Sequence, residues 1–502
     1  MTVFSLKSIS LAGLVLAGGI SLSYRAAQDD HATRSAASPV DVAAAPRATT
    51  RRHGIGRQTV QVPAEAAFVP HGIGSASGGS GPHKVTGISS GFGYAPYQIY
   101  PVDEWLAESV AIGDFDADGR KDIALTTVSS GFSSDGMKVF IYLQADDGGL
   151  LAPIKVPYLG FAAQATGLTV GNIDNDDTTD IIVGHDRGIT AIRGNRDRDF
   201  QPTPLPGWLR STDVGLIDFN VDGRLDVLAQ SWSDGAAIHL GDGRGGFAEP
   251  VPFNTSAFGY NHLSVGDVTG DGLPDMVLTQ GQGFAYFWVY PNRWSGGIGP
   301  AIRYDLDTSR SRPWGNAIGD FDNDGRNDIA LSIPENRPYS TVNLFMQGAD
   351  GRLQAGRILP SYDIVEPLVA ADLDSNGLAD LATAHGGWNK FGVYLQDASG
   401  LRPEVLFDMP PTYTSHYESN GMAVGDINGD GCPDIVVADY ANGLVVLRGK
   451  NCHPRVRIDS GSCRLENALS PNFAANSAPA ADTTAVTPSL SAGITSIRRT
   501  AR

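Results

Sequence analysis

The sequence predicts an all-β protein, a seven-bladed β-propeller whose ring is closed by an N-terminal strand. Three observations lead to this fold. An acidic loop recurs seven times, short apolar segments flank every copy, and the last copy lacks one segment that the start of the array can supply. Gly and Pro supply 61 and 30 of the 502 residues, so many turns are expected.

The acidic loop sets the period of the array. The stretch "GDFDADGRKDIAL" (113–125) returns as "GDFDNDGRNDIAL" (319–331), and related stretches lie between and beyond them. From the first loop to the last there are 312 residues over six intervals, a mean of 52, which is typical of stacked supersecondary units. The first positions of the seven loops are Asp114, Asn172, Asp218, Asp267, Asp320, Asp372 and Asp426.

Each repeat contains four short β segments. In the first repeat these are "SVAIGDFD", "DIALTTV", "KVFIYLQ" and "LAPIKVPYL", and no amphipathic helical pattern interrupts them. Seven units of four strands predict a propeller, in which radial repetition protects the sheet edges. Only two strands follow the seventh loop, so we expect "YAPYQIYPV" (94–102) to complete the last blade.

The residue types in the loops indicate a metal site. Aspartates at positions 1, 3, 5 and 9, a glycine at position 6 and a backbone carbonyl at position 7 bring hard oxygen ligands to one point, which suits Ca²⁺. The alternative is a set of metal-free Asx-turn hairpins. The candidate ligands are Asp114, Asp116, Asp118, Asp122, Asn172, Asp174, Asp176, Asp180, Asp218, Asn220, Asp222, Asp226, Asp267, Thr269, Asp271, Asp275, Asp320, Asp322, Asp324, Asp328, Asp372, Asp374, Asn376, Asp380, Asp426, Asn428, Asp430 and Asp434.

Charge favours metal in these loops. Their candidate ligand positions hold 23 of the 55 acidic residues, and crowded carboxylates repel one another unless a cation lies among them. Up to seven structural Ca²⁺ ions would bring the formal charge from −18 to −4. The second loop is the exception, because Asp177 replaces the glycine.

The repeated "(G)DxDxDGxxD" loops resemble those of FG-GAP or VCBS repeat proteins and of the integrin α-subunit N-terminal propeller. The likeness covers about residues 90 to 450, and the fourth unit contains Phe258-Gly259 ahead of "SVGDVTGDGLPD". The resemblance implies adhesion, ligand binding or carbohydrate recognition.

Aromatic residues and histidines occur where the loops opposite the acidic ones are expected. An aromatic and polar ring of this kind can bind a sugar or a peptide, although such residues also pack between blades. The candidate ligand-binding residues are Trp105, Trp208, Trp232, Trp314, Trp388, His185 and His385.

The favoured function is an exported, calcium-stabilised binding module for a cell-surface or extracellular glycan or protein. The alternatives are a secreted polysaccharide lyase or hydrolase and a purely structural surface protein. Catalytic evidence is weak: "GISSG" (87–91) fits GxSxG but lies in a Gly/Ser-rich stretch, and HExxH and GxxxxGK[ST] are absent from the sequence. We assign no catalytic residue and no organic cofactor.

The chain ends define the expected domains. Residues 1–28 fit a signal peptide, 29–86 a flexible linker, 87–453 the propeller, and 454–502 a cysteine-containing segment with a disordered tail. We therefore expect a periplasmic, cell-surface or secreted protein without membrane insertion of the mature chain. The acidic balance argues against nucleic-acid binding, and nothing in the sequence indicates an oligomeric state. Cys452 and Cys463 could close a short loop, with Cys432 free.

Overall fold

The computed structural model describes residues 91–452, except 104, 130–133, 161–166, 208–209, 212, 232–234, 254, 256–261, 280–284, 294–296, 307–312 and 412–418. Within these residues the secondary structure is entirely β, and no helix is present that is long and apolar enough to cross a membrane. The signal peptide, the linker and the C-terminal tail expected from the sequence lie outside the described residues.

Seven four-stranded antiparallel sheets form the blades of a β-propeller in the described part of the chain. The first three blades comprise Leu106–Gly113, Asp122–Val128, Lys138–Tyr142 and Ile154–Pro157; Leu168–Gly171, Asp180–His185, Gly188–Ile192 and Pro202–Pro204; and Asp213–Ile217, Asp226–Ser231, Gly235–His239 and Val251–Phe253.

The next three blades follow the same order from the inner to the outer strand. They comprise Leu263–Gly266, Asp275–Thr279, Tyr286–Tyr290 and Ile302–Asp305; Asn316–Gly319, Asp328–Ile333, Thr341–Gln347 and Leu353–Pro360; and Val365–Ala371, Asp380–His385, Lys390–Tyr394 and Val405–Asp408.

The seventh blade joins the two ends of the array. Its strands are Met422–Gly425, Asp434–Asp439, Gly443–Leu447 and Gln98–Tyr100, the last of which precedes the first blade in sequence. Three two-stranded ribbons complete the β structure of the described residues: Gly93–Tyr94 with Gly449–Lys450, Asn292–Arg293 with Gly297–Ile298, and Gln396–Asp397 with Gly400–Leu401.

The inner strands lie side by side around the ring. Each contacts the inner strand of the next blade, and Leu106–Gly113 contacts Met422–Gly425 of the seventh. The second strands are apolar and buried along their length, as in "DIIVGH" and "DIVVAD", because neighbouring sheets cover both faces. Phe391 and Val445, for example, belong to one buried cluster between the sixth and seventh sheets.

A disulfide links Cys432 to Cys452. Cys452 is therefore not available to pair with Cys463, which was one possibility from the sequence, and Cys463 lies outside the described residues. Cys432 occupies position 7 of the seventh acidic loop, and Cys452 follows the strand Gly449–Lys450, so the bond joins the loop to a chain segment adjacent to it in space but 20 residues away in sequence.

Candidate functional site

The seven acidic loops connect the first and second strands of their blades, so all of them lie at the same end of the sheets. Their backbone is more uniform than their sequence. Position 4 is left-handed in every loop, at Ala117, Asn175, Val221, Gly270, Asn323, Ser375 and Gly429. Position 6 is left-handed in six loops, at Gly119, Gly223, Gly272, Gly325, Gly377 and Gly431.

Glycine at position 6 is required by backbone conformation. At Gly119 φ is +84°, and a Cβ there would have no atom within 4 Å, so space is not the constraint. This conformation directs the backbone N–H of position 6 to Oδ2 of the first aspartate. The hydrogen bond measures 2.7 to 2.9 Å in all six loops with this glycine.

Carboxylates converge in the first, fifth and sixth loops. These three loops have aspartate at positions 1, 3 and 9, and in each loop one oxygen from every carboxylate lies within 4.8 Å of the others. In the first loop, Oδ1 of Asp116 is buried and accepts no hydrogen bond, while the side chain is only 1% exposed. A buried, unbonded carboxylate oxygen beside two further carboxylates fits a hard divalent cation.

The closing aspartates connect three strands. In all seven loops Oδ2 of the ninth residue accepts the N–H of the second residue at 2.8 to 3.1 Å. Oδ1 of the same residue accepts a second backbone N–H, at 2.6 to 2.9 Å. The donor follows the third strand in six blades, and in the fifth blade it is Gln347, the last residue of that strand. Each closing carboxylate therefore has a structural role in addition to any metal it binds.

Burial perturbs these carboxyl groups strongly. Desolvation raises the pKa of Asp122 to about 7 and that of Asp380 to about 8. It also raises the pKa of Asp116, where the Asp118 charge adds to the effect. Without a cation, the folded protein thus favours the protonated carboxyl groups, whereas a metal ion would favour the ionised ones.

Arginines also neutralise part of the loop charge. Arg198 lies 2.7 Å from Asp116, and Arg448 lies 3.0 Å from Asp434. Arg120 forms an ion pair with Asp118 within the first loop. These guanidinium groups supply part of the positive charge that the sequence alone assigns to a bound cation.

The second loop has a different internal arrangement. The backbone of Asp177, at position 6, is not in the left-handed conformation. Asn172 at position 1 donates through Nδ2 to the Asp176 carbonyl, and its Oδ1 is buried without a hydrogen bond. Thr178 donates to Asp176 Oδ1 from its N–H at 2.6 Å and its hydroxyl at 2.7 Å. The loop therefore lacks the bond from position 6 to position 1 that organises the other six.

The candidate residues at the opposite end of the sheets differ in position. Trp208 and Trp232 lie outside the described residues. Trp105 packs against the core between the first and seventh blades, with Lys138 Nζ 5.2 Å from its ring. Trp314 lies between the fourth and fifth blades, where its carbonyl accepts the Thr279 hydroxyl at 2.7 Å.

The two candidate histidines are buried, which corrects their assignment as ligand-contacting residues. His185 Nε2 lies 2.9 Å from the Thr190 hydroxyl, and His385 Nε2 lies 2.9 Å from Glu404 Oε1. Because both rings are 2% exposed or less, they support the structure from beneath the surface. Trp388 is partly exposed, as are Trp105 and Trp314, and it lies between the second and third strands of the sixth blade.

A family model for FG-GAP-like repeats matches residues 218–278, 267–331, 320–383 and 372–437. With the seven sheets, these matches define the class: the chain is a β-propeller that contains FG-GAP-like repeats. The matched stretches include the third to seventh acidic loops.

Among curated proteins, human integrin alpha-IIb is similar to this chain. It is 31% identical over 160 residues, which cover 27% of this chain and 15% of the integrin. The chain therefore matches only a small part of that protein's length.

Two solved structures show a more distant likeness. One is an Agrocybe aegerita lectin described as recognising non-reducing terminal N-acetylglucosamine, with 19% identity, coverage of 69% of this chain and 87% of the lectin, and a TM-score of 0.46. The other is BBS1N in complex with ARL6DN, with 11% identity, coverage of 73% and 97%, and a TM-score of 0.48.

Proposed function

We propose that this chain is an exported, calcium-stabilised β-propeller that serves as an extracellular binding module for a glycan or protein partner. The observation that carries the calcium assignment is the convergence of carboxylates in the first, fifth and sixth loops, within 4.8 Å in each. Neutral oxygens at Asn220, Thr269 and Asn428 complete the same pattern in three other loops. Calcium accepts such mixed oxygen ligands.

Calcium acts here as a structural ion. The loops join the first two strands of each blade, and their closing aspartates already connect to the third strand. A cation among these carboxylates would relieve their mutual repulsion and fix the ends of three strands together.

The opposite end of the sheets is proposed as the partner-binding surface. The acidic loops occupy one end of every blade, which leaves the loops at the other end to vary without loss of calcium. The similarity to part of integrin alpha-IIb supports a role in adhesion or recognition. Export rests on residues 1–28, which read as a signal peptide, followed by a linker at 29–86.

Binding and catalysis can be separated with the purified protein in calcium. The experiment combines a glycan array and an extracellular-protein panel with a depolymerisation assay on every glycan that is retained. We expect retention of a partner without cleavage. Cleavage of a retained polysaccharide would show that the protein is a polysaccharide-active enzyme and not a binding module. Absence of any retained partner would favour a purely structural protein.

A further inference from the structure

A cluster of aromatic and charged side chains lies between the fifth and sixth blades. It consists of Arg337, Tyr362, Asp363 and Trp388, which we call the Arg337 cluster. Arg337 belongs to the loop between the second and third strands of the fifth blade, and Trp388 to the corresponding loop of the sixth; Tyr362 and Asp363 connect the two blades. The cluster is therefore at the end of the sheets opposite the acidic loops.

Arg337 is held in place but remains accessible. Its Cζ lies 4.5 Å from the Tyr362 ring centroid and 5.0 Å from that of Trp388. Its Nε lies 2.7 Å from Asp363 Oδ2, and 48% of its side chain is exposed. Within the described residues, the two terminal guanidinium nitrogens have no hydrogen-bonding partner, so they can donate to an external anion.

Asp363 holds Arg337 from beneath the surface. Its side chain is 2% exposed, and Oδ1 is buried without a hydrogen bond. Such an oxygen calls for an ordered water, because its burial keeps it from a ligand on the surface. The next residue, Ile364, has φ of +26°, an unusual conformation for a β-branched residue and one found where surrounding contacts enforce it.

Those surrounding contacts are present. Ile364 donates its N–H to the Glu335 carbonyl and accepts the N–H of Gly386, each at 3.0 Å. Glu404 accepts the Tyr362 N–H at 2.7 Å and also contacts His385. Hydrogen bonds between the two blades thus fix the backbone of the segment that carries Tyr362 and Asp363.

We propose that the Arg337 cluster is a subsite for an anionic saccharide, a proposal that rests on the binding function above. The sugar ring packs against the partly exposed Trp388, and its carboxylate or sulfate accepts from the terminal nitrogens of Arg337. A saccharide can present an apolar ring face to the aromatic side chain and an acid group to the guanidinium at the same time.

Arg303 provides a matched control. Its side chain is also 48% exposed, its Cζ lies 4.0 Å from the Tyr286 ring, and it pairs with Asp305. Arg303→Gln therefore removes the same charge from a similar stacked site in another blade. Any general electrostatic loss of anion binding should be equal in Arg303→Gln and Arg337→Gln.

The test uses the full chain in calcium on an array of carboxylated, sulfated and uncharged glycans, with poly-glutamate as a peptide probe. We expect wild type to prefer carboxylated or sulfated glycans at least tenfold over uncharged counterparts. Arg337→Gln and Trp388→Ala should each weaken that binding at least tenfold, with Arg303→Gln within twofold of wild type. Preference for the carboxylated or the sulfated members identifies the anionic group.

Several results would overturn the subsite. Equal losses of affinity in Arg337→Gln and Arg303→Gln, or retention of uncharged glycans alone, would show that the Arg337 cluster is not the subsite but would leave the proposed binding function standing. Binding of poly-glutamate without binding of any glycan would show that the ligand is an acidic peptide. Failure to retain any glycan or protein would contradict the proposed binding function as well. Thermal melting checks each fold, and Arg337→Lys, which keeps the charge but not the planar fork, should still lose several-fold in affinity.

Discussion

The first and second acidic loops occupy the same place in neighbouring blades but differ in internal structure. In the first loop Gly119 donates its N–H to Asp114 Oδ2 at 2.9 Å, and one oxygen from each of three carboxylates lies within 4.8 Å of the others. In the second, Asp177 replaces the glycine, and the Asn172 side chain donates to a backbone carbonyl instead of accepting. Their closing aspartates, Asp122 and Asp180, nevertheless make the same pair of backbone contacts.

This comparison separates two functions of one motif. The closing aspartate organises the blade in every repeat, whether or not the rest of the loop is arranged for a metal. We expect the glycine at position 6 to orient the first aspartate toward the candidate metal position, since its N–H donates to that carboxylate in all six loops that have it. Substitutions can therefore remove one function and leave the other.

The largest effect should be the change with pH in the free energy of unfolding of the metal-free protein, since the closing aspartates of several loops contribute to it. Burial raises the folded-state pKa of Asp122 and Asp180 to about 7, above the ordinary carboxyl value of 3.8. The folded state therefore binds more protons than the unfolded state between these values, and stability falls as pH rises from about 4 to 7. Chemical denaturation in chelator at pH 5 and pH 8 should show greater stability at pH 5.

Calcium should reverse this trend, because metal binding requires ionised ligands and releases protons. Metal-free stability that is constant or that rises between pH 5 and 8 would show that the closing carboxyl groups are ionised in the folded apo protein.

Removing the closing carboxylate should destabilise both loops alike. Asp122→Ala and Asp180→Ala each leave two buried backbone N–H groups unpaired, at a cost of about 2–6 kcal/mol in the free energy of unfolding. Urea unfolding in chelator measures this cost without a metal contribution. If the Asp180→Ala protein were as stable as wild type, the shared strand-linking role would be wrong.

Gly119→Ala should convert the first loop toward the second. The left-handed backbone at φ +84° costs an L-residue about 1–2 kcal/mol, and the variant should lose one bound calcium. Gly215→Ala is the control, because its backbone is not left-handed and an added Cβ would meet its nearest neighbour at 3.5 Å. Unchanged metal content in Gly119→Ala would show that position 6 does not control the site.

The smallest effect should come from repairing the second loop. Asp177→Gly permits the left-handed conformation and should add one calcium, with a change in stability below about 1 kcal/mol in the absence of metal. Asp177→Ala removes the same charge and the ion pair with Arg196 but leaves a Cβ that disfavours the left-handed backbone at position 6. A calcium gained equally in both variants would assign the defect to charge and not to the backbone.

The sequence predicted the regular part of this molecule well, because each blade repeats the same local chemistry. The seven loop positions and the four-stranded blades follow from spacing alone. The buried apolar residue at position 2 was also visible in every loop but was overlooked. It is Phe115, Ile173, Phe219, Val268, Phe321, Leu373 or Ile427, each 5% exposed or less.

Contacts between segments distant in sequence could not be read in the same way. Arg198 reaches Asp116 from the next blade, and Cys432 pairs with Cys452 because two chain segments meet in space. The cluster around Arg337 is likewise specific to one junction between blades. No periodic signal marks such residues, so only the folded structure reveals their partners.

Metal analysis combined with thermal melting decides whether the acidic loops bind calcium that stabilises the fold. Purified protein dialysed against calcium should contain about six calcium ions per chain, one for each loop with a left-handed glycine at position 6. At 100 times Kd, one site stabilises the fold by about 2.7 kcal/mol and six sites by about 16 kcal/mol, so chelation of all six should lower Tm by more than about 10 °C. Chelated protein that has lost its metal but melts at the same temperature, or protein that binds no calcium, would contradict the account.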